Sequence, residues 1–432
     1  MRHRTRLAIG ATAIAVTAAL PSPAVGNGPP GTVHRVSVSN DDRQARLGEK
    51  FPERVSISAG GRYVAFVSTS PDLVPNDTND TWDVFVRNRS TDATRRVSIG
   101  TGGRQVVDGV GHAMISGNGR RVVFTTPSQL VAADTNDTVD VYARDRWSAR
   151  TTLVSQRPDG RSGNGPSFLA HLSRTGRYVA FQSSATDLVN RDRNRVEDVY
   201  LRDLRTGQTE RVSVVPAGYG GQAAGTEPYV SPDGSRVLFS SVNADEGSTV
   251  WVRNRQLDKT FRVETGLEGH AALGSVSMSA GARYVAFMTD QALLPADTDA
   301  ENDIYRLDRR TGRRILLAVD PSGRPGNGNS ETVQLSANGR FAAFSSDSSN
   351  LVPGDTNGVV DVFRSDIAAG TTHRVSVSST GAQGNAESGY SRDVAISANG
   401  KHVAFASFAS NLVPRDTNNE PDVFVWDRVE VR

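Results

Sequence analysis

A chain of 432 residues with 37% hydrophobic and only 6% aromatic residues, 41 glycines and no cysteine excludes a disulfide-stapled domain and any thiol chemistry. A formal charge of +2 at pH 7 gives no electrostatic case for nucleic acid, and past residue 30 no window keeps the 3.6-residue periodicity of a helical protein.

The first element in chain order is an export signal. MRHRTR is a positive n-region, LAIGATAIAVTAAL an apolar h-region, and PSPAVG offers cleavage after Ala24 or Gly26, so residues 1–26 are predicted to be removed. Their loss takes away Arg2, Arg4 and Arg6 and brings the formal charge from +2 to about −1. The apolar run is too short for a membrane anchor and is interrupted by Pro21 and Pro23, and no cysteine can accept a lipid. The expectation is a secreted protein without a transmembrane segment and not a lipoprotein.

From residue 55 the chain repeats itself. Ser58, Ser116, Ser173, Ser231, Ser279, Ser336 and Ser397 each close a short apolar run, and eight residues after each stands Phe66, Phe124, Phe181, Phe239, Phe287, Phe344 or Phe405. Gly61, Gly119, Gly176, Gly234, Gly339 and Gly400 follow their serines by three residues, as a tight hairpin turn with positive φ requires. The fifth unit moves its glycine to Gly281 and puts Ala282 in the usual place. Each unit reads as four strands, in the first case 55–58, 63–68, 83–89 and 95–99, with middle strands apolar on both alternating faces. The units lie near 55–99, 113–155, 170–214, 228–264, 276–319, 333–377 and 394–432, and the last lacks a full fourth strand. HRVSVS at 34–39 is identical to the fourth strand of the sixth unit at 373–378. The predicted fold is therefore all-β: a seven-bladed β-propeller of four-stranded antiparallel blades over 27–432, its N-terminal strand closing the last blade against 422–428.

The repeat resembles the TolB-like, WD40-like propeller repeats called PD40, most clearly in PYVSPDGSRVLFSS (228–241) and VWVRNR (250–255). The resemblance spans essentially residues 32–432. It implies a propeller that serves as a binding scaffold, as the gate of a peptidase or, in some members, as a lyase. The repeats leave no room for the separate α/β domain of TolB or for a hydrolase domain.

In such a disc the long second-to-third and fourth-to-first connections share one face, and short turns occupy the other. Six of the long loops repeat one pattern: Leu, then Asp, then Asn or Asp, then Asp. The acidic and amide members are Asp77, Asn79 and Asp83; Asp134, Asn136 and Asp140; Asp192, Asn194 and Asp198; Asp297, Asp299 and Asp303; Asp355, Asn357 and Asp361; and Asp416, Asn418 and Asp422. Three oxygens so spaced could converge on Ca²⁺, although the Gly and Glu of an EF-hand are absent. Asp and Asn equally accept backbone N–H groups in turns, and a motif repeated in nearly every unit is scaffold before it is site, so the turn is the expectation and calcium the alternative. The fourth unit replaces the loop with VNADEGST (242–249), which predicts a notch in the loop face.

His112 and His171 fall at innermost strands and are expected to be hydrogen-bonded core residues. No G-x-S-x-G, H-E-x-x-H or phosphate-binding glycine loop occurs. The function expected is a monomeric, non-catalytic binding scaffold for a protein or polysaccharide at the long-loop face, with no cofactor apart from the Ca²⁺ alternative. The alternatives are a propeller-type carbohydrate lyase or other metal-assisted enzyme with its site at that face, and a structural envelope component. An enzyme would gather unrepeated charged residues at the channel mouth; a binding module would spread apolar or aromatic residues over the loops.

Overall fold

The computed structural model describes residues 31–429 apart from 46–54, 191, 193, 195, 217–223, 244–246, 268–274 and 390–392. The export signal predicted at 1–26 lies outside the described residues. Seven four-stranded antiparallel sheets follow one another along the chain. The first strands of neighbouring blades touch in an unbroken cycle that returns from blade 7 to blade 1, which makes the molecule a closed seven-bladed β-propeller. Blade 1 shows the plan: Ser56–Ile57 innermost, then Tyr63–Ser68, Asp83–Asn88 and Ala93–Arg96 outermost.

The repeated phenylalanine is the keystone of each blade. All seven are fully buried. Six stack on an aromatic partner of the third strand, as in Phe66–Phe85 at 5.9 Å and Phe344–Phe363 at 5.6 Å between ring centroids. In blade 4 Phe239 lies opposite Trp251. The core is continuous between blades: Val64, Phe66 and Phe85 of blade 1 pack with Ala404, Ala406, Val423 and Val425 of blade 7. Burial on both faces is why the middle strands read as apolar runs rather than alternating ones.

The hairpin glycines answer two demands at once. Gly119 has φ +74°, in the left-handed region, and a Cβ there would meet the Tyr63 ring of the preceding blade at 2.0 Å. Ala282 adopts the same left-handed turn, at φ 54°, with its N–H bonded to the carbonyl of Ser279 at 2.9 Å. The preceding blade carries Arg236 rather than a ring at the matching position, so a methyl group finds room there.

The ring closes as predicted, but with an earlier strand. Gly31–Arg35 pairs antiparallel with Asp422–Arg428, from Gly31 opposite Arg428 to Arg35 opposite Phe424. The segment expected to pair was 34–39, and the fourth strand of blade 1 likewise ends at Arg96 instead of running to 99. The serine two residues beyond the arginine, Ser37 or Ser98, turns inward and donates to Asp422 or Asp83, but blades 4 and 5, with Glu264 and Ala318 in that place, end their fourth strands at the same register. Blade 4 differs from its sisters. Its middle strands, Arg236–Asn243 and Gly247–Asn254, run eight residues rather than six, so an extended hairpin stands where a notch was expected.

Candidate functional site

The long-loop face is organised by the aspartate that opens each third strand. Asp83, Asp140, Asp198, Asp361 and Asp422 are fully buried, and each accepts the hydroxyl proton of a serine at the exit of the fourth strand: Ser98, Ser155, Ser213, Ser376 and Ser37. The same hydroxyl oxygen accepts the next backbone N–H of the third strand, as in Val84 N–H to Ser98 Oγ at 2.9 Å and Val423 N–H to Ser37 Oγ at 3.0 Å. This one serine therefore ties the strand end, the loop and the outer edge of the blade together.

In four blades an arginine joins the first and last aspartate of the loop. Arg96 Nη1 lies 2.6 Å from Asp77 and 3.3 Å from Asp83. Arg374 Nη1 lies 2.8 Å from Asp355 and 3.0 Å from Asp361. Arg211 stands 3.6 Å from Asp192 and 3.1 Å from Asp198, and Arg35 stands 3.3 Å from Asp416 and 3.1 Å from Asp422. The sequence reading, which weighed loop amides against calcium, missed these arginines. Their signal was present: each sits thirteen residues after its aspartate or, for Arg35, on the closing strand.

The middle residue of the pattern reaches sideways. Asn79 Nδ2 donates to Val106 O at 3.0 Å, Asn136 to Gly163 O at 2.8 Å, Asn357 to Gly384 O at 3.1 Å and Asn418 to Ala45 O at 2.8 Å, while Asn194 bonds to Asp198. Fourth-to-first connections are also bonded to the following blade, through Asn164 to Thr186, Asn327 to Ser349 and Asn385 to Ser410, each pair making two bonds. Among the described residues, hydrogen bonds thus link the loops laterally in blades 1 to 3 and 5 to 7.

Blades 2 and 5 lack the arginine. Leu153 and Leu316 occupy its place, and Tyr142 and Tyr305 donate their hydroxyl protons to Asp134 and Asp297. Asp140 keeps Ser155 and has one oxygen without a partner; burial pushes its carboxyl up to about 7 against the help of Ser155. Burial and then repulsion from Asp297 raise Asp303 to about 7 as well, and burial brings Asp422 to about 6. Such a group binds its proton more tightly folded than unfolded, so its stabilising contribution is complete below about pH 4 and is lost as pH rises through the folded value. In metal-free buffer the melting temperature should therefore fall between pH 5 and pH 8, and Asp140→Asn should flatten that fall. An unchanged slope in the variant would refute the assignment.

At the centre of the ring a cavity of about 150 Å³ is lined by the first strands. Apolar side chains such as Val55, Met114 and Leu335 share its lining with the polar His171, Arg174, Tyr229, Thr332 and Gln334, and no carboxylate is among the described lining residues. His171 accepts the Val230 N–H at 3.3 Å, as expected of a core histidine, and its ring lies 3.8 Å from that of Tyr229. His112 is buried on Gly111–Ile115 with φ 50° at a strand irregularity. Among the described residues the exposed large apolar side chains of the loop face are Val107, Val214 and Phe408, which do not form the apolar spread expected of a binding module.

Fold and loops together define a closed seven-bladed propeller with laterally hydrogen-bonded loops on one face. No family model matches the chain, and no curated protein matches it. Among solved structures it is similar to an oligogalacturonate lyase in complex with manganese, at 14% identity over 93% of this chain and 92% of that one, TM-score 0.53. It is also similar to the β-propeller domain of the trilobed protease from Pyrococcus furiosus, at 10% identity over 87% and 95%, TM-score 0.52; that domain has an open velcro topology, whereas this ring is closed by a paired strand. A putative TolB from Agrobacterium tumefaciens aligns at 15% identity over 66% of this chain and 86% of that one, TM-score 0.41. At these identities the likeness is one of fold. Among the described residues no helix is long and apolar enough to cross a membrane.

Proposed function

We propose that the protein is an exported, non-catalytic scaffold whose long-loop face docks a macromolecule, either a protein or a polysaccharide. The observation that supports this is the lateral bonding of the loops, in which asparagines of the repeated pattern hold the neighbouring connections in place. A loop surface fixed before binding loses little conformational freedom on binding, which favours recognition by many modest polar contacts.

The test is binding of the chain lacking residues 1–26 to insoluble cell-wall polysaccharide, to oligosaccharide arrays and to arrayed extracellular proteins. Val107→Asp combined with Phe408→Asp, on the loop face, should weaken retention about tenfold or more, because each puts an unpaired charge inside the docked surface. Trp147→Asp, on the short-turn face, should leave it unchanged. Equal loss in both variants, or no binding to any probe, would sink the proposal. Release of unsaturated oligosaccharides, read by ultraviolet absorbance, would establish the carbohydrate-lyase alternative.

A further inference from the structure

We propose that the long loop of blade 5 alone among the six binds a calcium ion, held by Asp297, Asp299 and Asp303. The comparison among blades carries the argument. The loop pattern is built around a place for positive charge, which Arg96, Arg211, Arg374 and Arg35 fill in blades 1, 3, 6 and 7. In blade 5 the residue in the same register, opposite Tyr305, is Leu316. The equivalent pairs are Phe85 with Arg96, Tyr200 with Arg211, Phe363 with Arg374 and Phe424 with Arg35. The loop has therefore lost its internal cation. It has also gained a negative charge, because Asp299 stands where the other five loops carry asparagine.

The serine partner is missing too. Ala318 replaces the residue that bonds the third-strand aspartate in the sister blades. Asp303 is only 2% exposed, and among the described residues neither of its carboxylate oxygens has a hydrogen-bond partner. Asp297 is 6% exposed and has one oxygen free in the same sense. A buried, unpaired carboxylate is costly, and two in one loop require a compensating charge.

The geometry suits a hard ion. One oxygen each from Asp297, Asp299 and Asp303 lies within 4.8 Å of the others. Any two oxygens that share a calcium ion at about 2.4 Å are separated by no more than about 4.8 Å, a condition that each pair in this loop meets. The Tyr305 hydroxyl bonds the second oxygen of Asp297 and fixes the orientation of that carboxylate, as outer-shell donors do at metal sites. Asp299 is exposed and leaves an entry path, with room for water to complete the six to eight ligands calcium takes. Blade 2 lacks the arginine as well, but it retains Asn136 and Ser155 and so has two carboxylates and one free oxygen on Asp140.

The experiment is calorimetric titration of chelator-stripped protein with CaCl₂, with melting curves alongside. One ion per chain is expected, with a melting-temperature rise of about 3 °C at a hundredfold excess over the dissociation constant. Leu316→Arg, which restores the guanidinium of the sister loops, should abolish the response and raise the melting temperature of the metal-free protein. Asp299→Asn, at an exposed position, should keep the fold and weaken binding by about tenfold or more. No binding at about 10 mM calcium, above the range of weak extracellular sites, would overturn the proposal. So would binding indifferent to both substitutions, or a stoichiometry near six.

Discussion

Removal of residues 31–45 is expected to open the ring: the truncated chain should lose its cooperative melt or aggregate. Three consequences of that deletion act together. The third strand of blade 7 becomes an edge, and its Trp426 and Phe424, both fully buried, lose the cover of Gly31–Arg35. Asp416 and Asp422 lose Arg35, and Asp422 also loses the Ser37 hydroxyl, which leaves a fully buried carboxylate without its cation or its donor. Breaking a buried pair by removing one partner costs about 3–5 kcal/mol, a large share of the 5–15 kcal/mol by which domains are commonly stable. Finally, Asn418 and Thr417 lose the Ala45 and Gln44 partners that link the blade 7 loop to the closing segment. The check is a thermal melt of the chain starting at residue 46 against the chain starting at residue 27. Arg35→Met serves as a milder control that keeps the strand and should lower stability by about 3–5 kcal/mol. If the truncated chain melts within about 2 °C of the longer one, a shift below about 1–2 kcal/mol, the closing strand does not hold the ring.

The ring, its seven blades and its closure were legible because periodic burial leaves a periodic trace. A phenylalanine sandwiched between two blades tolerates little else, so Phe66 and its six counterparts recur at one spacing. Two features were harder to read. Strand ends carry no local mark: the fourth strands stop at Arg96 and at Leu316 alike, although Ser98 follows the one and Ala318 the other. The loop chemistry was hidden for the same reason. Asp77 and Asp83 share one loop, but the guanidinium between them comes from another strand, and for Asp416 and Asp422 it comes from the opposite end of the chain. The aspartate pattern alone could not distinguish a turn, a metal site and an arginine clamp, because all three ask for the same oxygens.

Arg374→Leu is expected to destabilise the protein by about 3–5 kcal/mol, the cost of leaving a buried charge pair without its cation. Arg374 is 9% exposed, and its Nη1 also reaches the Gln383 side chain at 2.9 Å. Burial already holds the Asp355 carboxyl above its ordinary value against the pull of Arg374; with leucine in its place that pull is gone while the Asp361 carboxylate remains, and Asp355 shifts further toward the protonated form. The loss should therefore be greater at pH 8 than at pH 5, the opposite of what a merely steric defect would give. Adding Asp355→Asn and Asp361→Asn to Arg374→Leu removes the orphaned charges and keeps acceptors for the Ser376 hydroxyl, so the triple variant should regain a large part of the lost stability. Urea unfolding of the three proteins at the two pH values makes the comparison. Additive losses, with the triple variant less stable than Arg374→Leu at both values, would show that the arginine acts by packing its aliphatic stem and not by balancing the two buried carboxylates.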